Sequence, residues 1–235
     1  MSMSSSARPM RESHISVSPV VAISGAGVFG ALASLITIAV GPTLQPSFPI
    51  LFYLKFDLAE VVDMIAFFVF GPVAGVLTAT VHFVILSFAP GGTGLFGASL
   101  KYFAVLATYA GVMLVSRVGK FSFRRAGISM TFSGLVVRVV LMTFVNYLYL
   151  ILLAKTIFNV DYEAFAQFVL SSAGISLAGS GFVTYVLGLT AIFNAVHAIF
   201  SVALSLFIVR ILMRRAPQWL ETRAWLTNYI VRRFE

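Results

Sequence analysis

Polar side chains interrupt several long apolar stretches of this sequence, and these are the residues whose types and spacing suit chemistry. The final stretch contains Asn194, His197, Ser201 and Ser205. Their steps of three and four residues place them on one face of a helix. Asn146 and Arg138 interrupt an earlier stretch, and His82 another. Because polar groups are costly in hydrocarbon, we interpret them as a pocket for a flat, heteroatom-rich small molecule. The alternative is that they only hydrogen-bond between helices.

Three carboxylates, Asp57, Glu60 and Asp63, form the only acidic cluster in an apolar stretch. Acidic residues in a first helical turn suit the positive end of the helix dipole. They are therefore interpreted either as helix caps or as part of the polar site. For Arg138, the expectation is that its side chain snorkels towards a basic membrane face.

Sequence signatures of catalysis are absent. There is no Gly-x-x-x-x-Gly-Lys phosphate loop, no Gly-x-Ser-x-Gly and no His-Glu-x-x-His. The chain has no cysteine, which excludes disulfides and thiolate metal sites. His82 and His197 would need carboxylate help to hold a metal, and histidines in spans more often hydrogen-bond across helices. We predict no enzyme activity, no cofactor and no metal site.

The composition predicts that lipid covers most of the surface. Of 235 residues, 60% are hydrophobic and 10% are charged, whereas soluble domains carry about 25% charged residues. A membrane span needs about 20 mostly apolar residues. We predict an all-α integral membrane protein, with a six-transmembrane-helix bundle at residues 17–213. The predicted spans are 17–40, 56–70, 72–88, 96–115, 128–153 and 186–213, and residues 154–185 form a long connection.

The basic residues predict the orientation. If both termini are cytoplasmic, twelve basic residues lie inside and three lie outside. The inner residues are Arg8, Arg11, Arg117, Lys120, Arg124, Arg125, Arg210, Arg214, Arg215, Arg223, Arg232 and Arg233; the outer ones are Lys55, Lys101 and Lys155. This asymmetry follows the positive-inside rule, so the net charge of +8 reflects topology in a cell membrane rather than nucleic-acid binding.

Two polar ends flank the membrane domain. Residues 1–16 are predicted to be a cytoplasmic tail, and residues 214–235 a second one. From Pro217 onwards, Trp219, Leu220, Trp225, Leu226 and Tyr229 alternate with arginines. This pattern predicts an amphipathic helix on the inner leaflet. The alternative is a partly ordered tail.

One motif is specific enough to indicate a family. Residues 53–62 read Tyr-Leu-Lys-Phe-Asp-Leu-Ala-Glu-Val-Val, and Gly71-Pro72-Val73-Ala74-Gly75 follows. With Asn146-Tyr147 and Phe193-Asn194, this resembles the substrate-binding S component of energy-coupling factor (ECF) transporters, and most closely the riboflavin-specific branch. The resemblance covers about residues 17–213 and is strongest at 53–75. His82 and His197 depart from it, because that branch tends to have lysines there.

The resemblance implies a six-helix bundle that binds a vitamin with high affinity beneath its first outer loop. It implies association with a transmembrane coupling subunit and two cytoplasmic ATPases, with riboflavin or a related flavin as bound substrate. The small-residue face of the first helix would dock on the coupling subunit, here at Ala22, Ala26 and Gly30. The substrate-binding residues that we predict are Tyr53, Leu54, Asp57, Glu60, His82, Lys101, Asn146, Tyr147, Asn194 and His197.

Two other functional classes compete with this interpretation. A stand-alone channel or secondary transporter for a small polar molecule often shows internal repeats and broken helices. No repeat is visible here, which counts against it. A membrane-embedded enzyme would need clustered catalytic groups, and the acids at residues 57–63 are the only such cluster.

Overall fold

The structure is a computed structural model that describes residues 17–40, 43, 45–51, 53–89, 94–156, 159–176, 181–220 and 224–230. These residues are almost entirely helical. The helices are α1 (Pro19–Leu35), α2 (Ala59–Phe70), α3 (Pro72–Phe88), α4 (Gly94–Ser116), α5 (Phe123–Thr156), α6 (Tyr162–Ser172), α7 (Phe182–Arg215) and α8 (Pro217–Leu220). A π-helical segment, Ile36–Val40, continues α1, and a 3-10 helix, Trp225–Tyr229, follows α8. The predicted tail at residues 1–16 lies outside the described residues.

Among the described residues, four helical segments are long and apolar enough to cross a membrane. They are Pro19–Val40, Gly94–Ser116, Phe123–Thr156 and Phe182–Arg215. The predicted span at 72–88 is present as α3, which has 17 residues, and the one at 56–70 as α2, which has 12. The described part of the chain is thus an all-helical membrane protein with several apolar helices.

Helix α2 forms the centre of the bundle. Every residue from 59 to 68 is buried, and α1, α3 and α7 pack around the helix. Its apolar side chains Met64, Phe67 and Phe68 anchor the main hydrophobic core. By contrast, α5 exposes Phe132, Val140 and Phe144. Since a wide apolar surface needs lipid to cover it, this face lies against the bilayer. Any charge on α2 is therefore enclosed by protein.

One end of the bundle, here called the loop end, is closed by the first loop (residues 45–51 and 53–58) and by α6. Helix α6 lies within the segment predicted to be a long connection, which therefore contains a short helix that the sequence analysis did not predict. Asp161 caps the helix by accepting a hydrogen bond from the Ala164 N–H at 2.8 Å. Glu163 then accepts the N–H groups of Gly181 and Phe182 at the start of α7, both at 2.8 Å.

The opposite end, here called the tail end, is closed by residues 224–230. Trp225 packs its ring 5.1 Å from that of Phe67, and Leu226 is fully buried. The Phe121 N–H donates to the Tyr229 carbonyl at 2.9 Å. The continuous amphipathic helix predicted on the leaflet is wrong for these residues, because their apolar side chains find protein partners rather than lipid.

Candidate functional site

The acids at the start of α2 separate into a cap and two interior groups. Asp57 Oδ1 accepts the Ala59 N–H at 2.8 Å, which is a helix-capping contact. Glu60 and Asp63 face the interior and are fully buried. Charges buried in this way need partners. The interpretation of all three acids as caps therefore holds only for Asp57, and Asp57 has further partners.

A first polar cluster, here called the Arg138 cluster, joins α2, α4, α5 and α7. It consists of Glu60, Thr108, Arg138, Asn194 and His197. Arg138 forms an ion pair with Glu60 through Nη1 and Oε1, and its Nη2 donates to Oε2 at 3.2 Å. Its Nε donates to Asn194 Oδ1 at 3.1 Å. The expectation that Arg138 snorkels to the basic end is wrong, because a buried carboxylate holds it in place.

Every guanidinium proton of Arg138 has an acceptor. The remaining two reach Thr108 Oγ1 at 3.4 Å and His197 Nδ1 at 3.3 Å. Since arginine has five N–H donors and no acceptor, His197 Nδ1 must be the unprotonated ring nitrogen. The proton of His197 is then on Nε2, which lies 3.3 Å from the Asp57 carbonyl oxygen. The cluster is internally satisfied, and His197 links it to the first loop.

A second cluster, here called the Lys101 cluster, joins the first loop, the π-helical segment of α1, α2, α3 and α4. It consists of Thr37, Asp57, Asp63, His82 and Lys101. Lys101 forms an ion pair with Asp57. Its ammonium also lies 3.0 Å from Thr37 Oγ1 and 3.3 Å from His82 Nε2. The other ring nitrogen of His82 lies 2.8 Å from Asp63 Oδ2.

Asp57 is the member of this cluster that lies in the first loop. Burial would raise the pKa of its carboxyl group, but the Lys101 ammonium, the Ala59 N–H and the Thr37 hydroxyl together hold it below its usual value. The Thr37 hydroxyl donates to Asp57 Oδ2 at 2.8 Å. An ionised Asp57 therefore ties the first loop to α1 and α4.

An aromatic layer lies between the loop end and the clusters. The rings of Phe48 and Phe56 pack 5.9 Å and 4.9 Å from the ring of Phe193. Phe56 also contacts the His197 ring at 5.7 Å. Backbone hydrogen bonds fix the loop that carries them: the Phe48 N–H donates to the Leu54 carbonyl, and the Phe56 N–H to that of Pro46. The packed rings of this aromatic layer thus cover the polar interior.

The predicted site residues divide into two groups. Asp57, Glu60, His82, Lys101, Asn194 and His197 belong to the two clusters. The others lie nearer the loop end: Asn146 donates to Met142 of its own helix, Tyr147 packs on Tyr162, and Leu54 joins the apolar cluster there. Tyr53 is 41% exposed. The role of both groups in substrate binding stays a prediction.

Sequence reasoning missed Thr37 and Thr108 as cluster members, and it left Asp63 open between a helix cap and the polar site without including it among the predicted binding residues. Thr37 lies in the π-helical segment, a feature that often marks functional sites but leaves no mark in hydropathy. Asp63 could have been predicted as a site residue from its spacing, because it follows Glu60 by three residues and therefore lies on the same helical face.

Two residues of the small-residue face that we predict to dock on a partner are buried within the chain. They are Ala26 and Gly30, and a Cβ built on Gly30 would lie only 2.7 Å from Val81 Cβ. Gly30 thus lets α1 approach α3 closely, and docking of this face on a partner stays a prediction. Ala22 is partly exposed, and Gly27 and Ala31, one residue further on, are exposed.

Taken together, the apolar helices and the enclosed polar clusters define a membrane protein with a polar interior beneath a structured loop. The family described as "ECF transporter, substrate-specific component" matches residues 22–209. The chain belongs to this family, whose members are transport subunits rather than enzymes.

Structural comparison agrees with the family assignment. A solved structure described as the S component of a bacterial ECF transporter superposes with a TM-score of 0.60 at 18% sequence identity. The match covers 84% of this chain and 98% of that one. At this identity the likeness establishes the fold. A search of curated proteins found no match.

Proposed function

We propose that this chain is the substrate-binding subunit of an ECF-type importer for a vitamin, with riboflavin or a related flavin as the substrate. The observation that carries the proposal is the aromatic layer of Phe48, Phe56 and Phe193 above two polar clusters. Apolar walls with a few placed polar groups are typical of small-molecule sites. A flat ring system with several heteroatoms matches both parts.

The first loop provides the means of entry in this proposal. Phe48 and Phe56 belong to the loop, whereas Phe193 belongs to the rigid helix α7. Movement of the loop would separate the rings and leave a slot lined by Phe193 and His197. A planar ligand in that slot replaces the ring contacts that the loop gives up. The polar edge of the ligand would meet Lys101, whose side chain is 14% exposed and whose protons suit carbonyl acceptors.

The energy for transport is proposed to come from other chains. The sequence contains no phosphate-binding loop, and the family is that of the substrate-specific component. We propose partnership with a transmembrane coupling subunit and two cytoplasmic ATPases. The loop end faces outward in this proposal, because the tail end carries most basic residues. Docking through α1 stays a prediction, and its exposed small residues are Gly27 and Ala31.

Riboflavin binding to the purified chain in nanodiscs tests the substrate. We expect quenching of flavin fluorescence at one ligand per chain, and a loss of affinity of at least tenfold in Phe193→Ala, which removes the wall of the slot. Phe132→Ala on the lipid face is the matched control and should bind as the wild type does, since its ring is exposed.

Absence of binding to riboflavin, FMN and lumichrome would remove the flavin proposal and leave another vitamin to be identified by mass spectrometry of the purified chain. Riboflavin uptake into proteoliposomes that contain only this chain would contradict the dependence on partner subunits. That result would favour a secondary transporter.

A further inference from the structure

Exposed arginines are concentrated at the tail end of the bundle. They lie in the connection after α4, at the start of α5 and at the end of α7. The described residues of this end include no carboxylate, and none of these arginines forms an ion pair with a described residue. They are Arg117, Arg124, Arg125, Arg210, Arg214 and Arg215. A patch of one charge sign without internal partners attracts anions from outside the chain.

Two of the helix ends that carry these arginines lie side by side. The Arg210 guanidinium on α7 lies 5.3 Å from the centre of the Phe123 ring at the start of α5. One turn further along α5, a Cβ built on Gly127 would lie 3.7 Å from Leu206 Cδ1 on α7. Packed helices lie about 8–10 Å apart, so arginines on the adjoining faces of these two helices can contact one ligand.

On α5, helical spacing places one arginine beside α7 and at the edge of the lipid-facing surface. Arg124 precedes Gly127, which faces α7, by three residues. It precedes Ile128, which is 61% exposed, by four residues. Residues three and four apart are neighbours on a helix. Ile128 is itself four residues before Phe132, on the face that lies against the bilayer. Arg124 therefore lies where the lipid-facing surface of α5 ends.

On α7, two arginines occupy the matching position. Arg210 follows the exposed Phe207 by three residues. Arg214 follows the exposed Ile211 by three residues and Arg210 by four. Both arginines therefore continue the outward face of α7. The Phe123 ring holds Arg210 towards α5 through a cation–π contact.

We propose that Arg124, Arg210 and Arg214, here called the arginine site, bind the headgroup of one anionic phospholipid. Their guanidinium groups donate to its phosphate, because the planar fork of arginine matches phosphate oxygens. The acyl chains of the lipid lie along Ile128 and Phe207. Cations and apolar side chains one helical turn apart thus match the two parts of a phospholipid.

The apolar surroundings favour a phospholipid over a soluble anion. A free phosphate contacts only the arginines, whereas a phospholipid also covers the exposed apolar side chains next to them. Basic surfaces between membrane helices on the cytoplasmic side are typical sites for anionic headgroups. The positive-inside rule accounts for the side of the membrane on which these charges lie, but not for their convergence between two helices.

Native mass spectrometry of the full chain in detergent, titrated with phosphatidylglycerol or phosphatidylcholine, tests the proposal. We expect one phosphatidylglycerol to bind more tightly than phosphatidylcholine. Arg124→Gln with Arg214→Gln should lower the phosphatidylglycerol affinity about tenfold or more, since each basic residue near an anionic lipid contributes roughly a fivefold factor. The affinity for phosphatidylcholine should not change. Arg210 is kept in this variant because its contact with Phe123 also joins two helices.

Arg117→Gln with Arg215→Gln is the matched control. It removes the same charge from the same end of the chain, but Arg117 follows α4, and Arg215 lies about 100° round α7 from Arg214. Its phosphatidylglycerol affinity should fall much less. An equal loss in the two variants would establish diffuse attraction to the charged end and overturn the arginine site. Equal affinity of the wild type for the two lipids would overturn it as well.

Glycerol 3-phosphate separates a lipid site from a site for a soluble anion, because it has the phosphate without acyl chains. It should not displace phosphatidylglycerol at equal concentration. Displacement would establish a site for a free phosphate group and contradict the proposal.

Thermal unfolding of the wild type in nanodiscs of each lipid needs no variant. The unfolding temperature should be higher in phosphatidylglycerol, because a ligand of the folded state stabilises it. This difference should shrink when NaCl rises from about 0.1 M to about 1 M, which shortens the Debye length from about 10 Å to about 3 Å. A difference that salt leaves unchanged would contradict recognition of the headgroup by arginines.

Discussion

The two polar clusters are made of similar groups but differ in how completely those groups are paired. Each contains a cation, a carboxylate partner on or next to α2, a histidine and a threonine. In the Arg138 cluster, all five guanidinium donors have acceptors and Arg138 is 2% exposed. In the Lys101 cluster, one carboxylate oxygen has no partner among the described residues, and a cavity lies beside it.

This difference indicates that the Arg138 cluster holds the helices together, whereas the Lys101 cluster can respond to a ligand. The planar guanidinium fork fixes five directions at once, whereas an ammonium is a compact charge on a flexible stem. The Arg138 cluster joins four helices and reaches the first loop only through the contact of His197 with the Asp57 carbonyl. No ligand can use the guanidinium donors without breaking a buried ion pair. The Lys101 cluster connects the first loop, which moves in the proposed binding step, to α1 and α4. Ligand binding should therefore act on the Lys101 cluster.

The largest effect is expected from Arg138→Met. The change leaves Glu60 as an unpaired buried charge, which costs about 3–5 kcal/mol when one partner of a buried pair is removed. Unfolding of the purified protein in detergent, followed by thermal or denaturant titration, measures it. The double variant Glu60→Met, Arg138→Met should recover most of the stability, since no lone charge remains. Wild-type stability in the single variant would show that this cluster does not hold the helices together.

Lys101→Met should have a smaller effect on stability, about 1–3 kcal/mol. Asp57 keeps two donors, the Thr37 hydroxyl and the Ala59 N–H, and it lies nearer to water than Glu60. The same unfolding assay measures this change. The comparison between the clusters would fail if the loss equalled or exceeded that in Arg138→Met.

The smallest effects come from a matched pair of threonines. Thr37→Val removes the hydroxyl that donates to Asp57 and should cost about 1 kcal/mol. Thr108→Val removes a hydroxyl that donates to its own helix and receives only a 3.4 Å contact from Arg138. It should cost less than Thr37→Val, because the 3.4 Å contact that it removes is weaker than the 2.8 Å hydrogen bond to Asp57. Equal losses in the two variants would argue against a special role for the π-helical segment.

Much of the helical framework could be predicted from hydropathy. The helix predicted at 72–88 is confirmed as Pro72–Phe88, because Gly71-Pro72 marks its start, whereas its role as a membrane span stays a prediction. Helix α6 could not be found this way, since an 11-residue amphipathic helix has no membrane-span signal. The capping residue Asp161 was its one visible sign. The tail was misread because its apolar face suits lipid and protein equally well.

The sequence predicts which residues belong to the candidate site better than it predicts which of them pair with each other. Polar residues within apolar stretches pointed to Asn194, His197 and His82, whose neighbours in space come from other helices. The partner of Arg138 is Glu60, which is separated from it by 78 positions in the chain. A single sequence contains no information on such a long-range pair, because many arrangements of six helices satisfy the same hydropathy pattern.

The contact between Trp225 and Gly71 has a consequence for how the protein is made. Gly71 has a φ of +96°, and a Cβ at this position would lie 3.1 Å from the Trp225 ring. The ribosome produces Gly71 and Phe67 long before it produces Trp225. During synthesis, the tail end of α2 is consequently uncovered while every later membrane helix is inserted. The contacts that close this end of the core can therefore form only after α7, the last long apolar helix of the described residues, has been made.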